Sequence, residues 1–200
     1  MNTPSHLIIN AALRKGFRRK VNIPRSAFLW GAVAPDLPLY LLSIGGFVYY
    51  RYVQGMETRD TFNYMFDTLF FKDPFWIATH NFFHSPTILL LMMVVLWRFR
   101  GTLGSPLRWI FWFAVGCLIH TAIDIPTHVN DGPLLFFPFE WTIRYTAPIS
   151  YWDGQYYGTQ FAVFEMALNI LLLGYLFGLG MWRWLKSRLN HTTSAEVEIQ

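Results

Sequence analysis

Four long apolar stretches dominate the chain, each close to the roughly 20 residues a helix needs to cross a bilayer. They run Ser26–Tyr50, Trp76–Trp97, Leu107–Ile125 and Phe161–Trp182, and the first is interrupted by Pro35-Asp36-Leu37-Pro38. Tyr49, Tyr50, Trp76, Trp97, Trp109 and Trp182 stand at their ends, where amphipathic rings settle at a membrane interface. A shorter apolar run, His6 to Leu13, precedes them and suits a re-entrant helix covered by protein. The pattern predicts an all-α polytopic membrane protein with about four transmembrane helices plus a short N-terminal helix. Residues 1–189 would form a single helical membrane domain, and the polar residues 190–200 a disordered cytoplasmic tail.

Charge between the stretches predicts their orientation. Arg14, Lys15, Arg18, Arg19, Lys20 and Arg25 precede the first, Arg98, Arg100 and Arg108 separate the second from the third, and Arg183, Lys186 and Arg188 follow the fourth. The two other connections carry the acids Glu57, Asp60, Asp67, Asp73 and Asp131, Glu140, Asp153. The positive-inside rule then places both termini in the cytoplasm and both acidic connections outside.

Composition agrees with lipid as solvent: 54% of residues are hydrophobic, 19% aromatic and only 14% charged. The net charge of +4 does not read as nucleic-acid binding, because the basic residues sit at the ends of apolar stretches. The single Cys117 excludes an intramolecular disulfide and a paired-cysteine metal site; in its apolar setting it reads as an inert buried thiol. Ala32-Val33-Ala34 resembles a leader cleavage site, but too few apolar residues precede it for a leader's hydrophobic core. The segment is expected to be retained.

The candidate chemistry lies inside the apolar stretches, where ionisable groups are costly and default to function. His80/His84 and His120/Asp124 are both spaced i, i+4, so each pair shares one helix face. Counted from Arg25, Arg98, Arg108 and Arg183, the residues Asp36, His84, His120 and Asn169 rise about 16, 21, 18 and 21 Å at helical pitch. Glu165 sits one turn above Asn169, and His6 lies about 12 Å above Arg14. These polar groups therefore share one slab of the bilayer. Imidazole and carboxylate together are the ligand set of a divalent transition metal, zinc first. Two paired helices supply four ligands, enough for one ion, and leave Asp36, Glu165 or His128 for a second ion, for orienting the imidazoles or as a general base. Blander roles stand beside these. A histidine can bond a neighbouring carbonyl, His120 and Asp124 can bond each other, Asp36 can cap a broken helix, and Glu165 and Asn169 can tie helices together. Gly174 and Gly178 allow close helix packing. The aromatic connection Pro126–Gln160 is either an interfacial belt or a cover over a site.

Four segments together resemble a known family. These are Pro4-Ser5-His6 before an apolar helix, Gly31-Ala-Val-Ala-Pro35-Asp36-Leu-Pro38, His80-Asn-Phe-Phe-His84-Ser85, and Gly116-Cys-Leu-Ile-His120-Thr-Ala-Ile-Asp124. With the run Pro133–Phe139 they resemble the bacterial membrane-bound, metal-dependent hydrolase-like proteins, which are in turn similar to zinc-dependent phospholipase C. The resemblance covers about residues 4 to 139. It implies His6, Asp36, His84, His120 and Asp124 as metal ligands, with His80 beside them. The stretch Asn81-Phe82-Phe83 departs from the basic, glycine-containing stretch such proteins often carry between the histidines.

The leading expectation is an inner-membrane hydrolase that uses one or two divalent ions, zinc before others, to activate water. Asp36 or Glu165 would accept the proton. A site in the outer half of the bilayer, with the phospholipase resemblance, suggests a lipid or lipid-linked phosphoester. Two other classes remain: a non-catalytic protein whose His/Asp cluster holds helices together, and a metal or proton transporter. Four spans without inverted repeats count against the transporter.

Overall fold

The computed structural model describes residues 1–197, and the side chains of 1–178 and 180–182. It is all-α; among the described residues there is no strand beyond an isolated bridge between Leu134 and Arg144. The helices are α1 (Thr3–Phe17), α2 (Arg25–Val33), α3 (Leu37–Val48), α4 (Thr58–Asn63), α5 (Phe70–Lys72), α6 (Pro74–Asn81), α7 (Pro86–Leu96), α8 (Pro106–Asp124) and α9 (Gly158–Val197). Two segments, Pro106–Thr127 and Gly158–Gly178, are long and apolar enough to cross a membrane unaided. The pairs α2/α3 and α6/α7 add two more spans if each pair crosses as one broken helix, bent by 44° and 47°.

Local chemistry accounts for the boundaries. Proline enters the first turn of α1, α3, α6, α7 and α8, where its missing N–H costs nothing. Asp73 and Ser105 cap their helices by accepting from Trp76 N (3.0 Å) and Leu107 N (3.2 Å). The break between α2 and α3 falls at Pro35-Asp36, inside the predicted first stretch. The break between α6 and α7 was not anticipated: Pro86 removes a donor and disfavours helical geometry at Ser85, whose backbone is extended.

One other segment differs from expectation. The acidic connection after the first stretch is largely helical, running from Thr58 to Lys72 with a wide π turn at Tyr64–Leu69. Thr61, Met65 and Leu69 recur every four residues and are buried; Met65 and Leu69 pack with Trp76 against Leu39, Leu42, Phe47 and Tyr50. That short apolar stripe was masked by its charged neighbours. At the other end, α9 runs on to Val197, into the segment expected to be a polar tail, and residues 198–200 lie outside the described part.

The packing centre is the crossing of α2 and α8. A Cβ added at Gly31 would meet the Phe113 carbonyl and stand 2.8 Å from Cys117 N; one at Gly116 would stand 2.7 Å from the Phe28 carbonyl. Only glycine lets the two backbones approach this closely. Buried Asn10 of α1 bridges them, donating to Phe28 O (3.1 Å) and Gly116 O (3.2 Å). Ala27, Leu89, Phe113, Ala114 and Cys117 fill the core around the crossing.

By contrast, α9 is joined to α1 by a polar seam. Asn2 donates twice to Glu165, Asn169 Nδ2 donates to Ser5 Oγ (2.8 Å), and Lys15 Nζ donates to Leu176 O (2.9 Å). The outer face of α9 is exposed and apolar, as at Ile170, Leu171 and Phe177, which suits lipid contact. Gly174 and Gly178 have open space where a Cβ would stand.

Replacing Gly31 or Gly116 by alanine forces the α2 and α8 backbones apart. Such overpacking costs about 1–3 kcal/mol, and a lower apparent melting temperature of the detergent-solubilised protein is expected for either variant. Gly174→Ala, which meets nothing within the chain, should melt with the wild type.

Candidate metal centre

Two helix breaks and one continuous helix converge on a single point. The first break delivers Asp36 and the second delivers His84, while α8 contributes His120 and Asp124 from consecutive turns. One nitrogen or oxygen from each of these four lies within 4.8 Å of the others. His84 Nε2 and His120 Nε2 are 3.2 Å apart. Asp124 Oδ2 is 2.9 Å from His120 Nε2 and 3.7 Å from His84 Nε2. Asp36 Oδ1 is 3.4 Å from His120 Nε2 and 3.5 Å from His84 Nε2.

The far side of each ring fixes its tautomer. His120 Nδ1 lies 2.8 Å from Ala32 O, and His84 Nδ1 lies 3.0 Å from His80 O. A carbonyl can only accept, so both Nδ1 atoms carry the proton and donate. Neutral rings then turn bare Nε2 lone pairs toward each other and toward two carboxylates. Four acceptors so close, in a poorly solvated place, call for positive charge among them. The Met1 ammonium meets Asp124 Oδ1 from one side at 2.9 Å; the group could hold a divalent ion for the rest, and backbone-oriented imidazoles are the usual support of such an ion. The donor set, two imidazoles and two carboxylates, fits zinc or a related transition metal.

The other candidate residues have different surroundings. His6 is fully buried and stacks on His120, centroids 3.7 Å apart, with Nε2 3.0 Å from Asp124 Oδ1. It therefore adjoins the group of four through Asp124. The amine of Met1 reaches the same oxygen at 2.9 Å. His80 stays outside the group. Because α6 ends at Asn81, His84 no longer sits one turn above His80 on a shared face; it uses the His80 carbonyl instead, and the rings lie 4.5 Å apart. Glu165, 3% exposed, accepts from Asn2 N (2.9 Å) and Asn2 Nδ2 (2.8 Å), one on each carboxylate oxygen. His128 places Nδ1 2.9 Å from the Asp124 carbonyl, and burial holds its pKa below the ordinary histidine value.

The group opens onto a cavity of about 630 Å³ whose walls include Asp36, His80, His84, Asp124 and His128. Asp36 is the most solvent-accessible of the four, its side chain 21% exposed against 5% or less for the others. The aromatic connection also lines the cavity, through Tyr151, Trp152 and Tyr156. It is pinned onto the second break: Asn81 Oδ1 accepts from Leu134 N (2.9 Å), Ser85 Oγ donates to Phe137 O (2.7 Å) and Thr87 Oγ1 donates to Leu135 O (2.7 Å). Part of this connection thus walls the cavity, whereas Phe136, Phe139 and Trp141 at the turn remain exposed. Burial, with Asp131 nearby, raises the Tyr151 phenol above its ordinary range, so it stays a neutral donor. Burial also lowers Arg144 to about 10, still charged at neutral pH.

A family model described as YdjM inner membrane protein matches residues 1–187. The chain belongs to that family and is an inner membrane protein. No curated protein and no solved structure matches it.

The site predicts a composition. Wild-type protein purified without chelator should carry about one equivalent of transition metal by mass spectrometry, as expected for a single four-ligand group. His120→Ala with Asp124→Ala should lose it. Glu165→Gln, altered at the α1/α9 seam, should keep it. A metal-free wild type with unaltered helicity would instead assign the positive charge to protons on the rings.

Proposed function

We propose that this member of the YdjM inner membrane protein family is a metal-dependent hydrolase of a lipid or lipid-linked phosphoester. The observation that supports the reading best is the junction of a four-ligand group with a large cavity. An ion serving only to hold helices is enclosed by four protein ligands; here the group forms part of a cavity wall, with room for a substrate. The resemblance of the His/Asp segments to membrane-bound hydrolase-like proteins and phospholipase C points the same way.

His84, His120 and Asp124 would hold the ion and leave its fourth position to water, with Asp36 beside that position. A bound divalent ion lowers the pKa of water to about 7 and withdraws charge from a phosphoryl oxygen. The remaining work falls to the chain. Ala32 O and His80 O keep the two Nε2 atoms directed at the centre. Asp36 is the proposed proton acceptor: it is the carboxylate most open to the cavity, and Thr3 Oγ1 donates to its Oδ2, which orients it. Glu165, both oxygens engaged by Asn2, is better suited to seating α1 against α9. Tyr151, packed on His128 and lining the cavity, is a neutral hydrogen-bond donor available to a substrate oxygen. The aromatic connection limits the water reaching the scissile bond.

The charge asymmetry of the connections supports cytoplasmic termini, with the cavity toward the outer leaflet. Outer-leaflet headgroups lie on that side of the group, so a phosphoester would enter the cavity from the outer membrane face.

Turnover of a panel of short-chain phospholipids, followed by phosphate or headgroup release, tests the reading. Chelation should abolish it and zinc restore it. Asp36→Asn should reduce kcat by about 100-fold or more, within the usual contribution of general-base catalysis, while folding normally. Unchanged turnover in a folded Asp36→Asn protein would remove the proposed base.

A further inference from the structure

Beyond the metal group, the cavity carries a charge pattern that bears on its ligand. Asp67, Asp131 and Asp153 all line it, and no lysine or arginine does. Their secondary tasks leave carboxylate capacity unused. Asp131 Oδ2 accepts from Trp152 Nε1 (2.8 Å) and Asp153 Oδ1 accepts from Gln155 N (2.8 Å), one oxygen each. Arg144 does not line the cavity: it donates to Gly132 O and stands 5.3 and 5.6 Å from the faces of Phe70 and Phe71, and of the three acids its charge acts on Asp131. A divalent ion would offset Asp36 and Asp124 but not these three acids.

The same cavity is lined by the aromatic side chains Tyr151, Trp152 and Tyr156. Carboxylates interleaved with aromatic faces suit an organic cation, which gains from both. A separate observation marks the cavity as a ligand site. His80 is 7% exposed and lines it, and its buried Nδ1 has no hydrogen-bond partner among the described residues. A buried polar atom left without a partner is costly unless another molecule supplies one.

We infer that the cavity selects a lipid whose headgroup carries an ammonium group, seated among Asp67, Asp131, Asp153 and the adjoining aromatic rings. This rests on the hydrolase reading for the position of the phosphoester, at the metal group, but not for the recognition itself. A purely anionic headgroup would bring negative charge to a cavity already lined by Asp67 and Asp153 and by Asp131, which Arg144 offsets only in part. A zwitterionic headgroup offers its phosphate to the metal group and its ammonium to the acids.

Titration calorimetry of zinc-loaded, detergent-solubilised protein tests the inference with two probes of equal acyl length, a short-chain phosphatidylethanolamine and a short-chain phosphatidylglycerol. Wild type should bind the first about tenfold more tightly, a gain of the size one desolvated cation site provides. Asp67→Asn/Asp153→Asn should lose most of that difference while keeping its circular dichroism spectrum. Asp67→Asn alone is the second variant, because Asp153 also supports its turn; it should show a partial loss. Equal binding, preference for the anionic lipid, no binding of either, or an unchanged preference in a folded variant would each overturn the inference. Product release, measured on the same lipids, separates it from the hydrolase reading. Headgroup preference without turnover supports the ammonium site and overturns the enzyme. Turnover confined to phosphatidylglycerol overturns the ammonium site and supports the enzyme.

Discussion

The close approach of α2 and α8 at Gly31 and Gly116 is the constraint on which the rest of the site depends. Side chains at either position would separate the helices, and the next residue along, Ala32, could not then offer its carbonyl to His120 at 2.8 Å. That bond sets the His120 tautomer and so directs its Nε2 inward. The same crossing brings the C-terminal end of α2, and with it Asp36, level with the turn of α8 that carries His120 and Asp124. A packing detail between two glycines thus becomes a chemical one at His120, four residues along α8 from Gly116.

The second requirement is that helices stop. An unbroken helix places its polar groups against its own backbone or a neighbour, with no room for a ligand. Here the chain bends at Pro35-Asp36 and again at His84-Ser85-Pro86, and each bend presents a carboxylate or imidazole where the regular helix is interrupted. Non-helical backbone at membrane depth is tolerated where protein covers it or a cavity solvates it. The aromatic connection supplies that cover at the second bend, through Asn81, Ser85 and Thr87. The bends therefore both create the metal group and require the wall that turns it into a cavity.

Much of this was legible in the residue pattern. Long apolar stretches with interfacial aromatics gave the helical class, and the Pro-Asp-Leu-Pro interruption marked the first break. The depth argument placed Asp36, His84 and His120 in one slab because rise per residue is nearly constant in any helix. What escaped was geometry that depends on helix continuity. His80 and His84 looked like partners on one face only while α6 was taken to run through Pro86; the proline was visible, but the apolar run around it was the stronger signal. The stripe of Thr61, Met65 and Leu69 was too short and too mixed with charge to announce a helix. The division of labour in the aromatic connection, with Tyr151, Trp152 and Tyr156 on the cavity and Phe139 exposed, has no periodicity to reveal it, since irregular backbone aims each side chain separately.

The need for positive charge at the centre also constrains what the site can be. Two carboxylates and two imidazoles, each imidazole already donating through its other nitrogen, have no donors left for one another. Protons on the rings would satisfy them, but they would pair the acids with imidazolium and remove the lone pairs the geometry directs inward. The supporting bonds to Ala32 O and His80 O make chemical sense for rings that act as neutral ligands, because a hydrogen bond at Nδ1 raises the basicity of Nε2 toward a metal. A network built only to join helices has no reason to place its most exposed carboxylate, Asp36, on the wall of a cavity large enough for a lipid headgroup. The arrangement is economical only if something enters that cavity and meets the charge at its end.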